Sequence, residues 1–370
     1  MRSLLFAALV MVMVGCGRPN PDLGTAEGAS FEVKGVGSAN RGGGGFPGAY
    51  GETSGAASPA TDAEAGGGSA ASAGTGVVPA GVLTAGLWDD TLNFPLFTAW
   101  RDGLSATDRL ADFTPAEQSA AAAAPLNAKT SLDIALVIDT TGSMSDEIGY
   151  LQAEFHAIAD TVAAKYPGVP QRWALIDYKD VVDPYVLRGS DFGTSTAWYQ
   201  SKLDAMSASG GGDFPEAADQ AFDHATQLSW NPSSSAAKLI FWVADAPPHQ
   251  ADGATFSNAV RGLRSLGVHV YPVASSGIDE QTEYVMRATA QVTEGRYLFL
   301  TDDSGVGGTH KEPSIPCYVV TRLNHAMERV VQSELDGARV AVDPALVLRT
   351  SGAPTDGQCV LQNGAAASLF

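Results

Sequence analysis

The feature that most constrains the fold is the alternation of apolar runs and amphipathic stretches between residues 129 and 336. The runs at 131–139 and 238–245 are almost continuously apolar, as expected of strands buried on both faces. Apolar residues spaced three and four apart predict a helix over 145–165. This alternation predicts right-handed βαβ units, so we expect an α/β fold with a doubly wound, mostly parallel sheet flanked by helices.

The other elements follow from the same two periodicities. Two runs joined by a short Asp-Pro turn predict antiparallel strands, which would give the sheet one antiparallel edge strand. In chain order, the remaining predicted elements are strands at 172–180 and 183–192, helices at 196–207 and 216–228, a helix at 256–267, a strand at 268–275, a helix at 279–290, a strand at 295–300 and a final helix at 318–335.

Two of the buried strands end in aspartate, at Asp139 and Asp245. An aspartate at the end of a buried strand is costly without a partner, so a positive group is expected beside it. The carboxyl ends of parallel strands share one rim, where α/β sheets bind ligands, and the two carboxylates converge there if the strands are neighbours. Thr141, Ser143 and the loop that carries Asp213 lie between them in the sequence.

These five side chains offer only hard oxygen donors, without thiolate or imidazole. Such a set favours Mg²⁺, Mn²⁺ or Ca²⁺ over zinc or copper. The competing interpretation is that the same residues only cap helices, because Ser, Thr and Asp often do so after a strand.

Three motifs carry a resemblance to a known family. They are DTTGSM at 139–144, GGGDFPEA at 210–217 and VADAPPH at 243–249. In order, spacing and context they resemble the motifs of a von Willebrand factor A-type domain over residues 129–336. The resemblance implies a Rossmann-like fold of that family.

The resemblance also implies a metal-ion-dependent adhesion site. Asp139, Thr141 and Ser143 match its first loop, and Asp245 matches the aspartate after the fourth strand. In the second loop, family members often place a threonine where this sequence offers Asp213, so direct and water-mediated ligation by Asp213 both stay open. The implied function is capture of an acidic side chain of a protein partner by the bound cation.

The first sixteen residues, MRSLLFAALVMVMVGC, contain one positive charge and an apolar run too short to span a bilayer. The segment MVGC at 13–16 resembles a bacterial lipoprotein cleavage box. This implies a signal peptide over 1–15, lipidation of Cys16, and a lipid-anchored location in the bacterial cell envelope. Gly17 in place of aspartate resembles lipoproteins of the outer membrane, facing the periplasm or the surface. The alternative is an ordinary secretory signal.

The segments outside 129–336 are assigned by composition. Residues 16–75 are rich in Gly, Ala and Ser and predict a flexible tether. Residues 76–128 contain Leu-, Phe- and Trp-rich sequence, which predicts a small accessory strand and helix followed by a linker. Residues 337–370 form a C-terminal tail.

Two further cysteines, Cys317 and Cys359, remain. Outside the cytoplasm two cysteines can oxidise and persist, so we predict that they form a disulfide that ties the tail to the domain. A metal site is the weaker alternative, because neither cysteine belongs to a CxxC motif or has a histidine at ligand spacing.

Charge and missing motifs exclude several functions. Lys and Arg number 22 against 41 Asp and Glu, for a formal charge of −19. Such a chain is not expected to bind nucleic acid, nor a membrane other than through its lipid anchor. Without a Gly-x-Ser-x-Gly elbow or a phosphate-binding loop, we do not expect an enzyme. The alternatives to adhesion are a structural envelope lipoprotein without functional metal and a metal-dependent phosphohydrolase.

Overall fold

The computed structural model describes residues 26–35, 78–109 and 113–370. In this part of the chain the strands are β1 (Ser30–Lys34), β2 (Thr84–Trp88), β3 (Ser131–Asp139), β4 (Gln171–Tyr178), β5 (Tyr185–Gly193), β6 (Ala236–Ala244), β7 (His269–Ala274), β8 (Tyr297–Leu300), β9 (Tyr318–Arg322), β10 (Arg349–Ser351), β11 (Gln358–Val360) and β12 (Ala366–Ser368). The helices are α1 (Phe94–Gly103), α2 (Pro115–Ala122), α3 (Ile148–Lys165), α4 (Thr196–Asp204), α5 (Ala218–Ala225), α6 (Gly253–Ser265), α7 (Glu280–Val292) and α8 (Leu323–Asp336).

One sheet organises the molecule, with the strand order β1-β5-β4-β3-β6-β7-β8-β2-β9-β10. The run from β4 to β8 is parallel. Strands β3 and β6 are hydrogen-bonded neighbours in register from Ser131 opposite Ala236 to Ile138 opposite Val243. Asp139 and Asp245 therefore lie at the ends of two neighbouring strands in the centre of the sheet, as predicted.

Both faces of the sheet are covered. Residues of β3 alternate between two apolar clusters, with Ala135 and Val137 in one and Leu136 and Ile138 in the other. Helices α5, α6 and α7 contribute side chains to the first cluster, and helices α3, α4 and α8 contribute to the second. The alternation follows from the period of two along a strand. The predicted doubly wound α/β sheet is confirmed.

The sheet has more antiparallel pairing than the single edge strand predicted. Strand β5 runs against β4, and β1 pairs antiparallel with β5 at that edge. At the other end β2, β9 and β10 continue the sheet with antiparallel pairs. The predicted antiparallel strand is present as β5. The further antiparallel strands pair with partners distant in sequence, which local patterns do not reveal.

Two segment assignments change with that pairing. Residues 30–34 fall inside the predicted tether but form β1, so the tether prediction is wrong for them. The strand predicted in the accessory segment exists as β2, but it lies within the main sheet between β8 and β9.

The predicted final helix at 318–335 is wrong at its beginning. Residues Tyr318–Arg322, with sequence YVVTR, form β9, and the helix α8 begins only at Leu323. Aromatic and β-branched side chains suit a strand, and the antiparallel partner β2 completes it.

The C-terminal tail is attached to the domain. Strand β10 pairs with β9, and β11 pairs with β12 in a separate two-stranded sheet. The predicted disulfide between Cys317 and Cys359 is present and closes a sequence separation of 42 residues. The predicted signal peptide and Cys16 lie outside the described residues. Within the described ranges, no helix is long and apolar enough to cross a membrane.

Candidate functional site

Asp139 is the last residue of β3, and its side chain is buried. Its Oδ1 atom accepts hydrogen bonds from the backbone N of Thr141 at 2.9 Å and from Thr141 Oγ1 at 2.6 Å. Its Oδ2 atom is buried without a hydrogen-bond partner among the described residues. Thr141 therefore fixes the orientation of the carboxyl group and leaves one oxygen available.

A hydroxyl pair connects Asp139 to the neighbouring strand. Thr141 Oγ1 lies 3.3 Å from Ser143 Oγ, and Ser143 in turn hydrogen-bonds Asp245, which directly follows β6. Asp245 Oδ1 is also buried and unpartnered within the described part of the chain. The structure thus brings together four of the five predicted ligands, Asp139, Thr141, Ser143 and Asp245. Side-chain hydrogen bonds link them in that order, and each of the two aspartates keeps one carboxylate oxygen without a hydrogen bond among the described residues.

The electrostatics of this cluster are unfavourable for two negative charges. Burial raises the pKa of Asp139 to about 7, and the charge of Asp245 adds to the rise despite the opposing hydrogen bonds from Thr141. Burial likewise raises the pKa of Asp245 to about 6, against the hydrogen bond from Ser143. Each carboxylate is thus ionised at a cost that a cation would remove.

The positive group expected beside Asp139 is Lys179, which follows β4 and is buried. Its Nζ atom donates to the backbone carbonyls of Thr140 and Ser209 and makes no ion pair with Asp139 among the described residues. Lys179 opposes the rise in the pKa of Asp139 only as the last of the contributing causes. It holds two loops together and does not replace a metal ion.

The second loop is fastened to the first by backbone hydrogen bonds. The N of Gly142 donates to Gly210 O at 3.0 Å, and the N of Ser209 donates to Thr140 O at 3.0 Å. Gly210 and Gly211 have φ values of 80° and 75°, which favour glycine. These contacts place the 209–217 loop over the site, where the motif spacing predicted it.

Asp213, the fifth predicted ligand, is not part of the cluster. It is exposed, and its side chain makes no hydrogen bond or ion pair within the described ranges. The loop carboxylate that is buried is Glu216, whose Oε2 atom has no partner there. A Cβ atom added at Gly211 would lie 3.0 Å from Glu216 Oε1 and 3.2 Å from Thr141 Cβ, so Glu216 borders the site.

Sequence reasoning missed Glu216 because its burial depends on a distant contact. The backbone N of Glu216 donates to Pro247 O at 3.0 Å, which draws the loop against the segment after β6. Burial, together with the charge of Asp139 and of further nearby aspartates, raises the pKa of Glu216 to about 9. The only local signal was a second acidic residue three positions after Asp213 in the same motif.

The residues present fit a hard divalent cation. Two buried carboxylate oxygens without donors, joined through two hydroxyls, are the ligand types that Mg²⁺ and Ca²⁺ prefer. No group of three or more His, Cys, Asp or Glu side chains that could hold a metal ion occurs in the described part of the chain. The candidate site therefore depends on hydroxyl oxygens as well as carboxylates.

Comparison with known proteins gives a family match for part of the chain. Residues 133–307 match the family model described as von Willebrand factor A domain. Among curated proteins, the chain is similar to a putative ariadne-like RING finger protein R811 of Acanthamoeba polyphaga mimivirus, with 27% identity over 196 residues, 46% of this chain and 18% of the relative. It is also similar to the alpha-protein kinase vwkA of Dictyostelium discoideum, with 24% identity over 145 residues, 39% of this chain and 23% of the relative. The chain thus spans about a fifth of the length of these relatives.

Two solved structures align with less than half of this chain, at low identity. The hypothetical protein BatB from Bacteroides thetaiotaomicron aligns with a TM-score of 0.34 and 12% identity, covering 45% of this chain and 89% of that one. The pilus adhesin SpaC from Lactobacillus rhamnosus GG aligns with a TM-score of 0.35 and 11% identity, covering 46% of this chain and 28% of that one. The three loop motifs, the sheet and the family match agree that residues 133–307 of this chain are similar to a von Willebrand factor A domain.

Proposed function

We propose that this domain binds a protein partner through a divalent cation held by Asp139, Thr141, Ser143 and Asp245. The observation that carries the proposal is the pair of buried carboxylate oxygens, Asp139 Oδ2 and Asp245 Oδ1, that no donor in the described part of the chain satisfies. Buried polar groups are almost always hydrogen-bonded or bound to an ion, so two such atoms at one rim call for a ligand.

Each residue has a separate task in this proposal. Thr141 holds Asp139 through two hydrogen bonds, and Ser143 links that unit to Asp245. Because the two aspartates end neighbouring strands of a buried sheet, their separation is fixed before any ligand arrives. When bound, the cation would act as a Lewis acid and bind an oxygen of a partner's carboxylate.

The surface beside the site suits a protein partner. Phe214 in the second loop is 43% exposed, and Val182 in the β4–β5 turn is 57% exposed. Asp183 of that turn accepts a hydrogen bond from the N of Gly211 at 2.9 Å, so the turn and the second loop are held together. Exposed apolar side chains next to a polar centre are typical of interaction surfaces. Von Willebrand factor A domains are typically protein-interaction modules, which agrees with this surface.

The cation is tested by thermal melts of the full chain after chelator treatment, titrated with Mg²⁺, Mn²⁺ and Ca²⁺. A ligand that binds only the folded state at a hundredfold excess over its Kd stabilises by about 2.7 kcal/mol, so a clear rise in Tm is expected. Asp139→Asn and Asp245→Asn should each lose the rise, and Asp223→Asn, at an exposed carboxylate on α5, should keep it. No rise with any of the three ions contradicts the proposal.

The carboxylate step is tested separately, with acetate as the probe. In protein loaded with Mn²⁺, a carboxylate that replaces water on the ion lowers the paramagnetic relaxation of the water protons. We expect a saturable decrease with acetate and none with acetamide, which lacks the charge. A normal cation-dependent rise in Tm without this decrease means that the cation is structural and that the partner does not bind through it.

Membrane anchoring is a second, independent part of the proposal. We propose that Cys16 is the lipidated first residue of the mature protein in the bacterial envelope, as its cleavage-box motif indicates. Mass spectrometry of the protein from a bacterial host should show cleavage before Cys16 and added acyl chains. Cys16→Ser should give a precursor without them, and an unmodified Cys16 in the mature chain contradicts this part.

A further inference from the structure

A cavity lies away from the candidate metal site. It has a volume of about 300 Å³ and lies between helix α8, the end of α3, strand β9 and the segment 340–346. Its lining includes Lys165, Thr321, His325, Glu328, Arg329 and Asp343. Lys165 is the last residue of α3, whose first turn follows the candidate metal loop. A helix of 18 residues is about 27 Å long, so the two sites are separate.

Arg329 is the unusual residue of this cavity. It is only 8% exposed, and its Nε and Nη1 atoms are buried without a hydrogen-bond partner among the described residues. Other buried arginines of the chain are paired. Arg287 binds Asp90 at 2.7 Å and Glu283 at 3.0 Å.

A second cation lies close to Arg329. The guanidinium of Arg329 lies 5.4 Å from the centre of the Phe370 ring and that of Arg296 lies 4.7 Å from the same centre, so the two cations share the attraction of one ring. Burial, followed by repulsion from Arg296, lowers the pKa of Arg329 to about 10. A guanidinium stays protonated at neutral pH, so the group needs an anion and cannot escape by losing a proton.

The acidic side chains of the cavity do not supply that anion. Glu328 pairs with Lys165 at 2.9 Å, and Asp343 accepts a hydrogen bond from the N of Ala345 at 2.9 Å. His325 is a second polar side chain of the cavity, and its Nδ1 atom is also buried without a hydrogen-bond partner in the described structure.

We propose that this cavity binds a small oxyanion, a phosphate or carboxylate group, with Arg329 as its charged anchor and His325 as a second contact. Hydrogen bonds from a charged guanidinium to an oxyanion are stronger than those between neutral groups. A volume of about 300 Å³ is at the lower end of small-ligand pockets, which suits a small metabolite or a short acidic group.

The test uses the full chain with inorganic phosphate and succinate as probes, at constant ionic strength set with chloride. Calorimetry and thermal melts should show saturable binding of at least one probe. Arg329→Gln should weaken that binding at least tenfold, the size expected for loss of a charged hydrogen bond. Lys202→Gln, a cation on α4 outside the cavity, should bind as the unaltered chain does.

The two probes distinguish the sources of the anion. Binding of phosphate alone identifies a phosphoryl ligand, binding of succinate alone identifies a carboxylate, and either result with loss in Arg329→Gln supports the site. If Arg329→Gln fails to fold, His325→Leu serves instead and should also weaken binding. Absence of saturable binding of both probes below about 10 mM, or equal binding in the cavity variants and the unaltered chain, overturns the proposal.

Discussion

Carboxylates are buried at both rims of the sheet, but only those at one rim have ion-pair partners among the described residues. At the carboxyl rim of the parallel strands, Asp139 and Asp245 are buried close enough to repel each other and have no ion-pair partner among the described residues. At the amino rim, Arg296 pairs with Asp89 at 3.2 Å and with Glu334 at 3.4 Å. Burial alone therefore does not decide whether a carboxylate is paired. At the carboxyl rim the buried carboxylates lack ion-pair partners among the described residues, and at the amino rim they form a closed network of ion pairs with Arg296.

The pKa values show what this difference means physically. Burial would raise the pKa of Glu334, but the charges of His269 and Arg296 and the hydrogen bonds from His269 and Tyr271 outweigh it and lower the pKa to about 2. At Asp139 burial and a like charge act in the same direction and raise the value to about 7. A carboxylate that folding has neutralised contributes to structure, whereas one left unneutralised is a candidate for ligand binding.

The largest expected effect comes from breaking a second buried ion-pair network, in which Arg287 pairs with Asp90 and Glu283. Arg287→Met removes the cation that pairs with Asp90 and Glu283, and leaves Asp90 buried with uncompensated charge. Breaking one partner of a buried pair costs about 3–5 kcal/mol, so urea denaturation should show a loss of that size. Lys202→Gln, at a partly exposed cation, should change stability by less than about 0.5 kcal/mol. A loss below about 1 kcal/mol for Arg287→Met contradicts the comparison.

The next effect is the pH dependence of the network at the amino rim, in which Glu334 pairs with Arg296. Because the folded pKa of Glu334 is lowered from 4.5 to about 2, its ionised form stabilises the fold above pH 4.5, and this stabilisation is lost as the pH falls to about 2. We expect the stability difference between the unaltered chain and Glu334→Gln to shrink by about 2–3 kcal/mol over this range. Denaturant titrations at several pH values measure it, with the exposed Asp146→Asn as control. A difference independent of pH shows that Glu334 is not held ionised by its partners.

At the carboxyl rim the sign of the effect reverses. In chelator-treated protein at pH 8, Asp139→Asn removes a buried negative charge that Asp245 repels, while the amide oxygen can keep both hydrogen bonds from Thr141. We expect a gain in stability of about 1–2 kcal/mol, together with loss of the response to cations. Chemical denaturation with and without Mg²⁺ measures both. A less stable variant in the absence of metal means that Lys179 compensates Asp139 more fully than its contacts indicate.

The candidate site was more predictable from sequence than the sheet edges. Asp139 and Asp245 end continuous apolar runs, and a parallel α/β sheet brings such ends to one rim whatever the rest of the chain does. The pairing of β1 with β5 and of β2 with β8 joins segments more than 150 residues apart. No local pattern contains that information, which explains why residues 30–34 were assigned to the tether and β2 to an accessory segment.

The second loop shows the same limit at the scale of one side chain. The 210–217 motif lies beside the first loop, as its spacing predicted, because the N of Gly142 donates a hydrogen bond to Gly210 O. Which of its two carboxylates is buried depends on the contact of Glu216 with Pro247, a residue that the chain reaches only after another helix and strand. The choice of Asp213 over Glu216 could not be made without that contact.

The smallest expected effect therefore belongs to Asp213→Asn. The side chain is exposed and unpaired in the described structure, so stability without metal should change by less than about 0.5 kcal/mol. If Asp213 contacts the cation only through water, Mg²⁺ affinity measured by calorimetry should fall less than tenfold, whereas Asp139→Asn should abolish binding. A larger loss for Asp213→Asn means that the loop closes on the cation and ligates it directly. The buried carboxylates of the carboxyl rim would then gain their charged partner only when the cation binds. Those of the amino rim already have Arg296 as a partner in the folded chain.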